Sequence, residues 1–197
     1  MGKSVEFYLD LGSPAAYLAF KRLPAICEAS AATLVWRPML LGGVFQATGN
    51  QSPVNIPAKG RYLFTDLERF ARRHGTPFRQ NPHFPINTLT LMRMATGLQL
   101  RQPERLVAYF DAAYRAIWVD RHDMNDGGVV AGVLHEAGFD PEALLALAAD
   151  AQVKERLKAQ TQEAVARGVF GAPTFFVGDD MFWGQDRLDF VKEALEP

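Results

Sequence analysis

Apolar and polar side chains alternate over Val5–Leu9 in the manner of a short buried strand. Asp10-Leu11-Gly12 breaks the run, and Ser13-Pro14 opens a helix. Ser13 suits the cap position and Pro14 the first turn, where its missing N–H costs nothing. The helix carries Ala16, Ala19, Phe20, Leu23 and Cys27 on one apolar stripe. Pro24 predicts a kink in it, because proline removes the bond to the Phe20 carbonyl. Thr33–Pro38 then reads as a second strand, and a strand–helix–strand opening predicts a parallel pair with a right-handed crossover.

From Met39 to about Gln51 the chain is Gly-rich and irregular, and Gln51–Pro57 reads as a connector. Helical spacing returns over Arg61–His74, closed by Gly75-Thr76-Pro77, and Asn81–Pro85 is a loop that prolines hold extended. Further helices are predicted over Asn87–Leu98, Glu104–Ile117 and Asp126–Ala137, from Asp140-Pro141 onward, and over Ala151–Arg167. No strand is predicted between Met39 and Gly168. Thr174–Val177, a Gly178-Asp179 turn and Met181–Trp183 form a hairpin, and Gln185–Leu195 a closing helix. The pattern therefore predicts an α/β fold whose sheet is built from both chain ends, with a large all-helical insertion between them. The corresponding units are residues 1–40 plus 162–197, and residues 41–161.

A strand, a tight turn and a helix N-terminus make a place where backbone N–H groups and the helix dipole favour an anion. Ser13 sits there, with a hydroxyl to offer a carboxylate, a phosphate or a thiolate. Near the other end, Ala172-Pro173 stands at the mouth of a strong strand, and X-Pro is where cis peptides are found, with an ordinary trans proline at a strand entry as the alternative.

Composition narrows the partners. With 48% apolar and 22% charged residues and a net charge of −1, the chain has no basic excess to recruit nucleic acid or a membrane surface. No apolar run is long enough to span a bilayer, and the start lacks a signal-peptide pattern, so a cytoplasmic location is expected. The four histidines show no metal-ligand spacing. Cys27 is the only cysteine and lies on the apolar helix stripe, which reads as a buried small hydrophobe. Without a Cys-x-x-Cys pair, dithiol exchange is not this chain's own chemistry, and any reacting thiol must come from outside.

Five pieces spread along nearly the whole chain carry a family resemblance: Phe-Tyr-x-Asp-x-x-Ser-Pro at residues 7–14, Gly49-Asn50, Pro57-Ala58-Lys59-Gly60, Phe170-Gly171-Ala172-Pro173-Thr174 and Trp183-Gly184-Gln185-Asp186-Arg187-Leu188. In this order they resemble the kappa-class glutathione transferase and 2-hydroxychromene-2-carboxylate isomerase family, within the thioredoxin-like superfamily and of DsbA-like architecture. The resemblance implies a thioredoxin-like sheet, glutathione as cofactor, a small aromatic substrate and a homodimer.

It also implies roles for particular residues. Ser13 would hydrogen-bond the glutathione sulfur and favour the thiolate, with Pro14 and Ala15 beside it. A helix N-terminus and a hydroxyl donor lower a thiol from about 8.5 toward neutrality. Ala172 and Pro173 would hold the cysteinyl main chain in a strand-like pairing. Asp186 would pair with the γ-glutamyl ammonium, and Gln185 with its carboxylate. Asn50 would contact glutathione or substrate, Lys59 a substrate carboxylate, and Phe84, Pro85 and Asn87 the aromatic side of the cleft. The expected activity is glutathione-dependent cis–trans isomerisation in aromatic catabolism. A kappa-like transferase conjugating electrophiles is the alternative, and a non-catalytic thioredoxin-like binding module is the third reading.

Overall fold

The computed structural model describes residues 2–196. Four strands form one sheet in the order β2-β1-β3-β4: β1 Ser4–Leu9, β2 Thr33–Pro38, β3 Thr174–Val177 and β4 Asp180–Trp183. β1 and β2 run parallel from Ser4↔Thr33 to Leu9↔Pro38, with α1 (Pro14–Ala29) as the crossover. β3 runs antiparallel to β1, pairing Val5 with Val177 and Tyr8 with Thr174, and β4 closes the hairpin. The sheet is thus assembled from the two chain ends, in a mixed α/β thioredoxin-like architecture.

β1 is central in the sheet and largely buried, because helices and loops cover both of its faces. Val5, Phe7 and Leu9 face the main core under α1, while Tyr8 joins Met39, Val44, Ala164, Val169 and Phe176 on the opposite face. On that second face Glu6 lies between two cations. Arg37 on β2 donates to its Oε2 at 2.6 Å, and Arg167 to its Oε1 at 2.8 Å and to the Tyr8 hydroxyl at 2.9 Å. Burial alone pushes the Glu6 carboxyl up, but the hydrogen bonds and charges of Arg167 and Arg37 outweigh it and hold the group below the usual glutamate value.

Between β2 and β3 the described residues are helical: α2 (Leu41–Thr48), α3 (Pro57–Arg73), α4 (Leu89–Arg101), α5 (Leu106–Arg115), α6 (Gly127–Glu136), α7 (Pro141–Ala149) and α8 (Ala151–Ala166). A π turn, Ala116–Asp120, continues α5, and α9 (Leu188–Leu195) ends the chain after a 3-10 turn at Gln185–Arg187. Asp126, Asp140 and Asp150 cap α6, α7 and α8 with their side chains.

Several expectations need correction. Met39–Gln51 is not irregular, because α2 occupies most of it. Gly42 and Gly43 disguise the helix in sequence, yet Gly43 lies close against α8. A Cβ there would stand 3.1 Å from Thr161 Cγ2. α3 starts at Pro57, in the predicted connector, with proline at its first position. The boundary drawn at 161/162 falls inside α8.

Candidate active site

The Asp10-Leu11-Gly12 turn joins β1 to α1 and is held on every side. The buried Asp10 carboxylate accepts the Gly12 N–H at 2.8 Å through Oδ1 and the Leu41 N–H at 2.8 Å through Oδ2, and the Thr88 hydroxyl lies near enough to favour its charged form. The Asp10 carbonyl accepts from the Ser13 N–H at 3.1 Å and the Tyr114 hydroxyl at 3.2 Å. Trp118, in the π turn, donates its indole N–H to the Leu11 carbonyl at 3.0 Å. Burial pushes the Asp10 carboxyl above the usual aspartate value, despite the lowering effect of its hydrogen bonds.

This frame places Ser13 as the α1 cap. Its Oγ accepts the Ala16 N–H at 3.1 Å and donates to the Ala172 carbonyl at 2.9 Å. Pro14 is buried in the first helical turn and Ala15 half-exposed. The Ala172-Pro173 bond is cis, and the Pro173 carbonyl accepts the Gly184 N–H at 3.0 Å. Two residues 159 positions apart thus meet at the N-terminus of a 16-residue helix. A helix start with a hydroxyl donor stabilises an anion there.

Asn50 lies on the same side. Its Nδ2 donates to the Phe170 carbonyl at 2.8 Å, tying the end of α2 to the loop that carries Ala172. Phe170 packs on the half-exposed Trp183, with centroids 4.9 Å apart. Gly171 permits this contact, since a Cβ would stand 2.6 Å from Trp183 Nε1.

Gln185 and Asp186 follow Gly184. Gln185 is buried with its Oε1 unpartnered, while its carbonyl accepts from Arg22 at 3.1 Å. Asp186 is exposed and pairs with Arg187 at 2.5 Å. Gly184, at φ 104°, leaves room for the Asp186 carboxylate, whose Oδ1 would lie 2.5 Å from a Cβ.

The remaining predicted residues are placed otherwise. Lys59 is exposed on the first turn of α3 and makes no ion pair among the described residues. Phe84 packs against Phe64 and Trp118 in the aromatic core, at 5.8 and 5.7 Å between centroids. Pro85, exposed, follows a second cis bond. The Asn87 side chain accepts the Leu89 N–H at 3.2 Å in an Asx turn leading into α4, and lies on the wall of a separate cavity of about 290 Å³ with Thr90, Leu91 and Met94. From this segment it is Ile86 and Thr88 that reach the active turn. A Cβ on Gly12 would be 3.2 Å from Thr88 Cγ2 and 3.7 Å from the Ile86 carbonyl.

Sequence reasoning assigned no role to Asp10, Thr88, Tyr114 or Trp118. Asp10-x-Gly12 is an Asx-turn pattern that signals the Gly12 bond, but nothing local signals the bonds from Leu41 or Thr88.

The model of the DSBA-like thioredoxin domain matches residues 4–196. The chain belongs to this family. It is 35% identical to the 2-hydroxychromene-2-carboxylate isomerase of Sphingobium xenophagum, over 99% of each chain, and 34% identical to that of Pseudomonas putida, over 97% of this chain and 93% of the relative. Human glutathione S-transferase kappa 1 is 28% identical over 98% of this chain and 91% of its own. A solved 2-hydroxychromene-2-carboxylate isomerase superposes with a TM-score of 0.84 and 31% identity, covering 98% of this chain and 94% of the other. This family member is therefore an isomerase-like enzyme of the branch that also includes the kappa-class transferases. In place of a cysteine pair, the start of α1 reads Ser13-Pro14-Ala15-Ala16.

Proposed function

We propose that the chain is a glutathione-dependent cis–trans isomerase of the 2-hydroxychromene-2-carboxylate type. The observation that carries this reading is the 2.9 Å bond from the Ser13 hydroxyl to the Ala172 carbonyl, at a helix N-terminus without a cysteine. The hydroxyl proton now given to Ala172 is the one a bound thiolate would take, by rotation about the Cβ–Oγ bond. A serine also cannot be trapped as a mixed disulfide.

For an aryl-substituted conjugated keto acid, the glutathione sulfur forms a C–S bond to the olefinic carbon nearest the ring. The π pair moves to the ketone oxygen as an enolate. The former double bond turns as a single bond, and collapse of the enolate expels the thiolate with the trans geometry in place. Glutathione is regenerated, so it acts as a cofactor. Ser13 steadies the sulfur at both ends of the step. Asn50 lies where it can orient glutathione or the ketone, and Lys59 supplies a free cation for the substrate carboxylate. The protein's task is to hold two small molecules in one cleft.

Ala172 and the cis Pro173 hold the cysteinyl main chain in this reading, and Asp186 the γ-glutamyl ammonium, shared with Arg187. The buried Gln185 amide has an unmet acceptor in its Oε1, better suited to the ammonium than to a carboxylate. The aromatic side of the cleft falls to Pro85, Ile86 and Thr88, with Phe84 and Asn87 behind them as supports. A homodimer in the cytoplasm belongs to the same reading, and light scattering on the purified protein tests the dimer.

Thermal unfolding with increasing glutathione tests the cofactor. Specific binding raises the midpoint by mass action, and an unchanged midpoint at millimolar glutathione removes glutathione from the reading. The 28% identity with human kappa transferase favours a second reading, conjugation of electrophiles. Stoichiometric consumption of glutathione during turnover selects it.

A further inference from the structure

A cleft of about 620 Å³ opens between α2, α4 and α8, and its lining includes neither Ser13 nor Ala172. Its apolar surface comes from Leu40, Ala47, Leu89 and Leu157. Three cations stand on its walls, Arg93 from α4 and Lys154 and Lys158 from α8, against one carboxylate, Glu155. Glu155 is committed to Lys158 at 3.6 Å. Among the described residues, neither Arg93 nor Lys154 makes an ion pair, so the cleft keeps uncompensated positive charge over an apolar floor. The volume is that of a small-molecule site. Such a surface accepts a flat apolar body carrying an anion at one end, and a guanidinium matches a carboxylate with two parallel bonds.

The cleft is also wired to the catalytic turn. The Leu40 N–H donates to Thr161 Oγ1 at 3.0 Å, and the next amide, Leu41, donates to Asp10 Oδ2 at 2.8 Å. Asp10 holds Gly12, the residue before Ser13. On the other wall, Leu89 follows Thr88, whose side chain stands beside the same carboxylate and against Gly12. A ligand seated on Leu40 and Leu89 therefore presses on both arms of the cage behind the active serine.

We propose that this cleft is an accessory binding site for an aromatic carboxylate, whose occupancy tightens the Leu40–Leu41 corner that braces Asp10. Binding here does not depend on the glutathione reading, because the ligand and the residues are different.

The probe is 2-naphthoate, titrated calorimetrically into the wild-type protein, Ser13→Ala, and the double variant Arg93→Gln/Lys154→Gln, which removes the two cations without an ion-pair partner. Amide hydrogen exchange is followed at Leu40 and Leu41. Circular dichroism verifies the fold of each variant. The expected result is binding that survives Ser13→Ala, weakens at least tenfold in the double variant and slows exchange at both amides. Binding that survives the double variant, absence of binding at millimolar naphthoate, or unaltered exchange overturns the proposal. Failure of glutathione to shift unfolding would instead overturn the catalytic reading and leave these outcomes unaffected.

Discussion

The Ser13 hydroxyl donates to the Ala172 carbonyl across 2.9 Å while accepting the Ala16 amide at 3.1 Å. One oxygen therefore caps α1 and joins the two chain ends at the point where an incoming sulfur would lie. The cap fixes the rotamer, and the bond to Ala172 sets the proton's direction. A thiolate then needs only a turn of the hydroxyl hydrogen. Preorganised donors of this kind act without rearranging at the moment of reaction.

Ser13→Ala is expected to lower isomerase turnover by about 10²–10³-fold, the usual effect of deleting one preorganised donor. Loss of the cap costs about 1 kcal/mol of stability, so the variant stays folded. Turnover measured beside thermal unfolding checks both; full activity would remove the serine from the mechanism.

Cys27 is buried on the core face of α1, where burial pushes its thiol up to about 11. In the native protein it is expected to resist thiol reagents at neutral pH and to react only on unfolding. Cys27→Ser should keep its kcat, since the reacting sulfur comes from glutathione. A mass-spectrometric labelling time course and an assay of the variant settle the two points.

Glu6 is held below its ordinary value of 4.5 by Arg167 and Arg37, against the effect of burial. A carboxyl depressed in the folded state contributes stability that is complete above the unfolded-state value and lost as pH falls through the folded one. Unfolding free energy should therefore fall in acid below about pH 4.5, more steeply in the wild type than in Glu6→Gln. At neutral pH that variant should be about 1–3 kcal/mol less stable, because two part-buried arginines lose the counter-charge and one of the two acceptor oxygens. Urea unfolding from pH 3 to pH 7, roughly spanning this window, measures both effects.

Gly184→Ala would put a methyl 2.5 Å from the Asp186 carboxylate at a φ of 104°. The strain costs about 1–3 kcal/mol, and Asp186 must move. The expected outcome is weaker glutathione binding with little change in kcat at saturating cofactor. Calorimetry with glutathione separates this from a merely destabilised protein.

Asp10→Ala leaves the Gly12 and Leu41 amides without their acceptor. Each buried unsatisfied donor costs about 1–3 kcal/mol. Glycine and α2 are both released, so kcat should fall although Asp10 itself touches no substrate. Asp10→Asn should restore part of the stability, as its amide oxygen can still accept one of the two N–H groups.

Local pattern alone was enough for the elements with an unambiguous period. β1, α1 and the terminal hairpin were legible because apolar residues mark the buried faces and Ser13-Pro14 marks a helix start. α2 was not, since Gly42 and Gly43 have low helix propensity and its burial comes from Thr161 on α8, far along the chain. Phe84 stands beside a proline loop, and only the tertiary structure packs it against Phe64 and Trp118, half-buried at the edge of the core.

Residue order thus set the alternation of strand and helix, the capped serine at the start of α1, and the lack of a cysteine partner there. Each is a property of neighbours a few positions apart. Folding in three dimensions decided that Ser13 meets Ala172, that Asn50 meets Phe170, and that Asp10 gathers Gly12, Leu41 and Thr88. Periodicity tells a helix or strand which of its faces to bury, but the choice of what covers that face belongs to packing between distant segments.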